Sequence, residues 1–324
     1  MSKYNNNVIQ MLYQYAPDYV SGEFIANQLH ISRTTVKKNI DKLKEEGCEI
    51  ESLNQRGHRL LSLPDKWYQG IVTSVLPEDI YFNHIEVFDT IESTQLVAKQ
   101  RLVGNQDHFL ILSNEQSKGK GRFNRPWDSA KGKGLWMSLV VRPHVSFDMI
   151  TKFNLFIALG IRDAIQQYSN DEVSVKWPND IYIGNQKVCG FLSEMVANSD
   201  GIEAVICGIG INMNHQADDF DEALQSIATS IRLHADEKIN RYAFLATLIE
   251  QFDKRYQQFM TQPFSTIKEE YKNATNMWHR KLRFTENGTQ FEGQALDIDD
   301  SGYLIVENEQ TGELKKLMSA DIDL

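Results

Sequence analysis

Hydrophobic residues recur at helical spacing three times near the start of the chain, and each recurrence predicts a short helix. A turn at Ala16-Pro17-Asp18 is expected to end the first helix. Ser21 and Ser32 are the expected N-caps of the second and third helices, and Gly47 is the expected stop of the third. The apolar faces are formed by Val8, Met11, Leu12 and Tyr15, then by Phe24, Ile25 and Leu29, and finally by Val36, Ile40 and Leu43.

A β-hairpin is predicted after the third helix, with its turn at Gln55-Arg56-Gly57. Short helices joined by a tight turn and followed by a hairpin are typical of a winged helix-turn-helix domain, which we predict for residues 1–64. The alternatives are a small helical domain with a solvated face and a winged helix that binds protein. Polar residues on the outer face of the third helix and in the wing are the candidates for contacting DNA. They are Ser32, Arg33, Thr34, Thr35, Lys37, Lys38 and Arg56.

Strand-like and helix-like segments alternate in residues 65–272, which we predict to be a second domain. Because the strands lie close together in the sequence, hairpins and a mixed or antiparallel sheet are expected rather than repeated βαβ units. The predicted strands are 84–88, 109–113, 135–141, 173–177, 180–183, 190–195 and 204–211, and the predicted helices are 147–168 and 241–259. Residues 273–324 read as a third unit of short strands, at 282–284, 291–298, 303–306 and 314–317. The fold class is therefore multidomain α+β.

Charge is unevenly distributed along the 324 residues, whose net charge is −10. Residues 1–63 carry eight basic and seven acidic side chains, whereas the remainder carries 26 and 37, so the first domain is the part best suited to nucleic acid. The chain starts without a signal peptide's apolar core, and its longest apolar runs are too short to span a bilayer. Cys48, Cys189 and Cys207 lack metal-ligand spacing. We therefore expect a cytoplasmic protein with reduced thiols and no membrane partner.

Residues 118–134 form a basic, glycine-rich segment with six basic residues, one acidic residue and four glycines. Glycines let the backbone approach a ligand and donate its N–H groups, and the neighbouring Lys and Arg side chains favour a phosphate or a carboxylate. Trp127 adds a flat surface for a base. The spacing does not match a Walker A loop, and Asn124 stands where the dinucleotide fingerprint has its third glycine. The simpler interpretation is a solvated basic loop.

Four further places carry candidate chemistry. The run Glu92-Ser93-Thr94-Gln95 suits a helix cap and also hydrogen bonding into a pocket. In the run 176–180, Lys-Trp-Pro-Asn-Asp, proline breaks a strand where polar groups crowd together. Lys187 lies near a hairpin turn, where a lysine is usually a solvated charge. Gly208-x-Gly210-x-Asn212 ends an apolar strand, and its glycines permit close approach of a ligand or of another strand.

Taken in order, these motifs resemble those of the bifunctional biotin protein ligases that are also biotin operon repressors. The loop ending in Trp127, the Lys-Trp-Pro-Asn-Asp run, Lys187 followed by Gly190, and the glycines before Asn212 occur in that family's order. The resemblance covers the whole chain. It implies a winged helix, a central ligase domain of the class II synthetase-like type, and a small C-terminal β-barrel of SH3-like type. Each motif alone is weak, but the ordered set is specific.

The resemblance also implies a two-step reaction. The biotin carboxylate attacks the α-phosphate of ATP to form biotinyl-5′-AMP, and a lysine of a biotin carboxyl carrier domain then takes the biotinyl group. Mg²⁺ is expected with ATP, and Asp180 is a possible ligand for it. The adenylate is also expected to promote a homodimer that binds operator DNA and represses biotin genes.

Site residues follow from the same resemblance. Lys187 and Arg122 are the implied catalytic residues, because the reaction brings two negative groups together. The implied biotin-binding residues are Ser93, Thr94, Gln95, Gln116, Gly119, Lys120, Gly121, Arg122, Lys187 and Gly190. The implied ATP-binding residues are Arg122, Arg125, Trp127, Asn179 and Asn212. The chain departs from the family pattern where Lys120 and Phe123 replace arginine and Asn124 replaces glycine, and we expect the loop to close differently there.

Other readings of the same motifs remain open from the sequence. A lipoate or octanoate transferase shares the superfamily, but such enzymes usually lack a winged-helix head. An octanoyl transferase also needs a nucleophilic cysteine, for which Cys189 beside Lys187 is the one candidate. A class II synthetase-like enzyme would call for a tRNA-binding module, which we do not find. A DNA-binding sensor with an inactive ligand domain is disfavoured by the presence of both Arg122 and Lys187.

Overall fold

The computed structural model describes residues 3–82, 84–104, 107–199, 201–286 and 288–323. The first unit contains three helices and a hairpin, as the sequence predicts. They are α1 (Lys3–Tyr15), α2 (Gly22–Leu29), α3 (Arg33–Glu45), β1 (Glu49–Leu53) and β2 (Gly57–Ser62). Both predicted caps are confirmed, because Ser21 accepts a hydrogen bond from the Phe24 N–H and Ser32 accepts one from the Thr35 N–H.

Two residues assigned to the apolar faces lie at the surface instead. Tyr15 is 42% exposed and Phe24 is 38% exposed, and their rings pack edge to face with centroids 5.5 Å apart. Tyr15 ends α1 and Phe24 lies in the first turn of α2, so neither ring reaches the layer between the helices. Ile9, which the pattern missed, is fully buried there.

A short helix that the sequence did not reveal joins the first unit to the second. This is α4 (Gln69–Val75), which packs on α1 so closely that a Cβ at Gly70 would lie 2.1 Å from the Asn6 carbonyl oxygen. Just before it, Trp67 and Tyr68 are fully buried. The segment leaving the winged helix is therefore packed against the rest of the molecule.

The second unit is built on a seven-stranded mixed sheet, as predicted. Its order is β3-β4-β5-β9-β8-β7-β6, with β3 and β4 parallel across a helical crossover and every other pair antiparallel. The elements are β3 (His84–Phe88), α5 (Thr94–Leu102), β4 (Phe109–Ser113), β5 (Gly134–Val141), α6 (Met149–Gln166), β6 (Val173–Lys176), β7 (Asp180–Ile183), β8 (Gln186–Asn198), β9 (Gly201–Asn212), α7 (Arg241–Thr261) and α8 (Lys268–Asn273). Helices α6 and α7 pack on each other and carry most of their apolar side chains into the core.

The third unit is a five-stranded antiparallel sheet. Its strands are β10 (Lys281–Glu286), β11 (Thr289–Ile298), β12 (Leu304–Asn308), β13 (Leu314–Leu317) and β14 (Asp321–Asp323), in the order β13-β12-β11-β10-β14. Strand β14 was not predicted, because three residues give too short a pattern. The Trp177 Nε1–H donates to the Gly302 carbonyl at 3.3 Å, which ties this sheet to the second unit. Within the described part of the chain, no helix has the length and hydropathy needed to cross a membrane.

Candidate functional site

A cavity of about 320 Å³ lies where loop 118–134, the start of α5, strands β8 and β9, and residue 321 meet. All but one of the small-molecule site residues predicted from the sequence line it. They are Ser93, Thr94, Gln95, Gln116, Lys120, Gly121, Arg122, Arg125, Trp127, Asn179, Asp180, Lys187, Gly190 and Asn212. Gly119 does not line it. It packs against the returning part of the same loop, where a Cβ would lie 2.5 Å from the Trp127 carbonyl oxygen.

One end of the cavity is a network of neutral hydrogen-bonding groups. The Gln116 Oε1 atom accepts from the Thr94 N–H at 2.7 Å and from the Thr94 hydroxyl at 3.1 Å, while the Gln116 Nε2 atom donates to Ser129 at 2.9 Å. Ser138 donates to the Thr94 hydroxyl at 2.8 Å. Ser93 occupies the N-cap position of α5 but makes no side-chain capping bond, so the cap predicted for this segment is supplied by Gln116 from another strand end.

The opposite end carries Lys187, whose ammonium lies 2.6 Å from the Asp180 carboxylate and 5.3 Å from the centre of the Trp127 ring. The Lys187 side chain is 29% exposed. A register shift in the β7–β8 pairing brings Lys187 opposite Tyr182, and a bulge of this kind re-aims side chains. Gly190 leaves room for the lysine, because a Cβ there would lie 3.1 Å from the Lys187 Nζ atom. Lys187 is thus held in the cavity and paired.

Arg122 projects from the basic loop toward the cavity and the third unit. It donates to Asn179 Oδ1 and to the Ala320 carbonyl, both at 3.2 Å, and also to the Ser319 hydroxyl. Burial lowers the pKa of Arg122 from its ordinary value, which leaves a guanidinium fully charged at neutral pH. It is therefore a fixed, partly desolvated cation at the cavity wall.

Arg125 lies at the other end of the same turn and forms an ion pair with Asp321 at 2.5 Å. The loop between the two arginines closes on itself, since the Gly121 N–H donates to the Arg125 carbonyl at 2.9 Å. Phe123 and Asn124 both have left-handed backbones, with φ of 54° and 56°. Asparagine tolerates that region better than most residues, which is consistent with its standing in a glycine's place.

Trp127 lies flat on the central sheet over two facing glycines. Gly190 and Gly210 are paired across β8 and β9, and Cβ atoms there would lie 3.2 Å and 2.5 Å from the indole. The indole Nε1–H is buried and has no hydrogen-bond partner among the described residues. The glycines therefore allow a planar group to lie against the sheet.

A third wall of the cavity was missed entirely from the sequence. It consists of His215, Phe220, Leu224, Ile227 and Ala228. His215 stacks on Phe220 with ring centroids 5.0 Å apart, and burial lowers the pKa of this histidine to about 4, so the ring is neutral at physiological pH. The segment has no helical or strand periodicity, and its irregular backbone is fixed by long-range bonds such as that from the Lys187 N–H to the Ile227 carbonyl at 2.8 Å.

Two alternative chemistries find no support among the described residues. Cys189 is fully buried, and burial raises the pKa of its thiol well above the ordinary value, so it is not an activated nucleophile. No cluster of three or more His, Cys, Asp or Glu side chains suited to holding a metal occurs in the described ranges.

The predicted DNA-contacting residues lie on the outer face of α3 and at the wing tip. Arg33, Thr34, Lys37, Lys38 and Arg56 are exposed. The remaining two, Ser32 and Thr35, stabilise the start of α3. Their hydroxyls are 2.9 Å apart, and Ser32 accepts a hydrogen bond from the Thr35 N–H.

Three family models match separate parts of the chain. They are an HTH domain at residues 5–59, the biotin/lipoate A/B protein ligase family at 87–212, and the biotin protein ligase C-terminal domain at 281–324. Their order is the same as that of the three structural units.

Curated relatives match the chain over nearly its whole length. The bifunctional ligase/repressor BirA of Bacillus subtilis is 36% identical over 329 residues, covering 100% of this chain and 99% of the relative. The protein of the same name from Escherichia coli is 24% identical and covers 95% of this chain and 93% of the relative. Among solved structures, biotin protein ligase from Aquifex aeolicus in complex with biotin and ATP is 22% identical, with a TM-score of 0.64 over 75% of this chain and 99% of that one. That likeness concerns the fold alone.

Proposed function

This chain belongs to the family of bifunctional biotin ligases and repressors, and from that premise we propose that it attaches biotin to a carrier protein at the expense of ATP and represses transcription of biotin genes. Biotin and ATP are its substrates and biotinyl-5′-AMP is the intermediate. A lysine of a biotin carboxyl carrier domain is the acceptor. The winged helix is the DNA-binding part.

One observation carries the ligase proposal: a single cavity joins a neutral hydrogen-bonding end to a cationic end. The Thr94–Gln116 network suits the ureido ring of biotin, which both donates and accepts hydrogen bonds. Lys187 and Arg122 are cations, and they suit the biotin carboxylate and the ATP α-phosphate, which react with each other. The ligand's apolar part then lies along the apolar lining of the cavity, which includes Met137, Leu192 and Ile209.

In the first step, a biotin carboxylate oxygen attacks the α-phosphorus of ATP and pyrophosphate leaves. Both reactants are anionic, so their approach requires positive charge that is already in place. Lys187 and Arg122 supply it from the cavity wall, where Lys187 is paired with Asp180 and Arg122 donates to Asn179 and to the Ala320 carbonyl. Arg125 and Trp127 are the proposed contacts for the triphosphate and the adenine. In the second step, the acceptor lysine amine attacks the acyl carbon, AMP leaves, and the amine loses a proton.

Mg²⁺ accompanies ATP in this proposal. Such an ion is usually held by one or two carboxylates together with the phosphates, and it screens their charge. Asp180 would be the carboxylate that holds the ion, because it lines the cavity, and it would then be shared between the ion and Lys187.

For the repressor activity, we propose that biotinyl-5′-AMP promotes a homodimer whose two winged helices bind a two-fold operator. Operators with two-fold symmetry match dimers of helix-turn-helix proteins. Three of the exposed cations of α3, namely Arg33, Lys37 and Lys38, face away from the domain core. Because the adenylate forms only when both substrates are present, binding of DNA should be tighter with biotin and ATP together than with neither. Equal binding in the two conditions would contradict this regulation.

The ligase proposal is tested by incubating the protein with ATP, Mg²⁺ and either biotin or octanoate, followed by mass spectrometry. We expect biotinyl-5′-AMP from biotin and no octanoyl adenylate. If no adenylate forms from biotin, the ligase assignment is wrong. An octanoyl adenylate formed in preference would instead support the transferase alternative.

Gln116→Leu should weaken biotin binding. The change leaves Thr94 donors and ligand groups unpaired inside the cavity, and each lost partner costs about 1–3 kcal/mol, so we expect the KM for biotin to rise about 10- to 100-fold. The maximal rate of adenylate formation should change little, because the ureido ring is remote from the reacting carboxylate. Steady-state kinetics with varied biotin give both numbers. Gln257→Leu on the exposed face of α7 is the matched control, and an unchanged KM in Gln116→Leu would reject this assignment.

Lys37→Ala should reduce the salt dependence of DNA binding. A lysine that contacts a phosphate contributes about one unit to the slope of log affinity against log salt concentration, and we expect that slope to fall by about 1. Fluorescence anisotropy over a range of KCl concentrations measures it. Lys254→Ala, an exposed lysine of α7, should leave the slope unchanged. A Lys37→Ala slope equal to that of the unsubstituted protein would remove Lys37 from the DNA-contacting surface.

A further inference from the structure

The loop between α1 and α2 forms part of the wing. The Val20 N–H donates to the His58 carbonyl at 2.9 Å and the His58 N–H donates to the Val20 carbonyl at 2.8 Å, so Val20 extends the hairpin as a short third strand. Gly57 makes this approach possible, because it has φ of +104° and a Cβ there would lie 2.2 Å from the Val20 carbonyl oxygen. Tyr19, the preceding residue, is thereby fixed beside the wing tip.

The Tyr19 ring lies against two arginines of the wing. The Arg59 guanidinium is 4.7 Å from the ring centre and the Arg56 guanidinium is 5.8 Å from it, both within the range of a cation–π contact. The Tyr19 hydroxyl donates to the Glu51 carboxylate, which also accepts from Arg59 at 2.7 Å. The hydrogen bond from Tyr19 lowers the pKa of Glu51, so this carboxylate stays ionised and neutralises Arg59.

Arg56 differs from Arg59 in having no carboxylate of its own. Among the described residues, no Asp or Glu oxygen lies within ion-pair distance of Arg56, and its side chain is exposed at the turn between β1 and β2. An arginine held near a ring by a cation–π contact keeps its N–H groups available for an oxyanion. The wing thus offers, beside one ring, Arg59 in a direct ion pair with Glu51 and Arg56 with only a longer-range attraction to that carboxylate.

We propose that Tyr19 is a positioning residue that presents Arg56 to a phosphate of the DNA backbone. The ring supports the Arg56 guanidinium, and the closer cation–π contact with Arg59 holds the ring in place. This assignment rests on the proposed DNA binding and adds to it the residue that orders the wing. A long, mobile arginine loses conformational freedom when it binds, and a ring that already holds it reduces that loss.

The test compares Tyr19→Leu, Tyr19→Phe, Arg56→Gln and the Tyr19→Leu/Arg56→Gln double variant. The probe is a fluorescein-labelled duplex of mixed sequence several helical turns long, because a phosphate contact does not require the operator sequence. We expect Tyr19→Leu to weaken binding about two- to fivefold, as for loss of an exposed cation–π contact. Tyr19→Phe keeps the ring and should bind like the unsubstituted protein. In the Arg56→Gln background, Tyr19→Leu should have no further effect.

Melting temperature and adenylate formation are measured on each variant, with Tyr15→Leu as the control for loss of an exposed tyrosine in the same domain. Tyr19→Leu binding that equals that of the unsubstituted protein would overturn the assignment. So would an undiminished effect of Tyr19→Leu in the Arg56→Gln background, or a Tyr19→Phe protein as weak as Tyr19→Leu. The assays contain biotin and ATP and are run at low salt. If the unsubstituted protein fails to bind the duplex under these conditions, the proposed DNA binding is itself wrong, and that result is distinct from a failure confined to the variants.

Discussion

Lys187→Ala is expected to reduce the rate of biotinyl-5′-AMP formation by about 10²–10³ while the protein remains folded. Loss of one pre-placed group that stabilises developing charge typically has this effect. Lys187 is the cation that the β7–β8 bulge directs into the cavity, where Asp180 holds it at 2.6 Å. The pair is partly exposed, so its loss should change the free energy of unfolding by no more than about 1 kcal/mol. Pyrophosphate release and thermal melting measure the two quantities.

Lys99→Ala is the matched control for this variant. Lys99 also forms an ion pair, with Glu194 at 2.9 Å, but it lies on α5 outside the lining of the cavity. Its removal should leave the rate unchanged. A folded Lys187→Ala protein that forms the adenylate at the unsubstituted rate would show that Lys187 is a solvated surface charge.

Gly57→Ala is expected to abolish measurable DNA binding while adenylate formation continues. An alanine here must adopt φ near +104° and would place its Cβ 2.2 Å from the Val20 carbonyl oxygen. Backbone strain and collision together should destabilise the wing by about 3 kcal/mol. The Val20–His58 backbone pair would then open, and Tyr19 and Arg56 would lose their fixed positions. Anisotropy with a DNA probe, together with hydrogen exchange at Val20 and His58, measures the effect.

Gly312→Ala separates strain from collision in this experiment. Gly312 also has a positive φ, of +66°, but a Cβ there would meet no heavy atom within 4 Å. It should therefore carry a smaller destabilisation and leave DNA binding intact. Loss of adenylate formation in Gly57→Ala would contradict the separation of the two functions between the winged helix and the cavity.

The parts predicted best from the sequence are those whose signal is local. Ser21 and Ser32 cap α2 and α3 as expected, because a cap depends on residues only a few positions away. Strands β3, β4 and β13 have the predicted bounds, since each is a short run with clear turn residues around it. The cavity residues were predicted by resemblance to a family. That resemblance rests on the order of motifs in the sequence and does not depend on predicting the local structure.

What the sequence did not reveal depends on contacts between distant segments. Helix α4 has only seven residues and begins without a side-chain cap, and it is stabilised by packing on α1. The wall formed by His215 and residues 220–228 has no periodicity, and its backbone is held by bonds to Lys187. Tyr15 and Phe24 fit the apolar pattern but lie at helix ends, where the pattern does not specify which side of the domain they face.

The same distinction explains the cap of α5. The segment Ser93-Thr94 has the residue types of an N-cap, yet the Thr94 N–H is satisfied by Gln116, which is close only in the folded protein. The Ser93 hydroxyl therefore makes no capping hydrogen bond, and Ser93 lines the cavity instead. A residue that fails its expected local role at a cavity is therefore a useful marker of a binding site.

The most direct test of the account is the mass of a purified biotin carboxyl carrier domain after incubation with this protein, biotin, ATP and Mg²⁺. We expect the carrier to gain one biotinyl group on a single lysine, and we expect no gain when ATP is omitted or when the Lys187→Ala protein is used. A carrier whose mass does not change in the presence of the folded, unsubstituted protein would contradict the assignment of the cavity as a biotin-activating site.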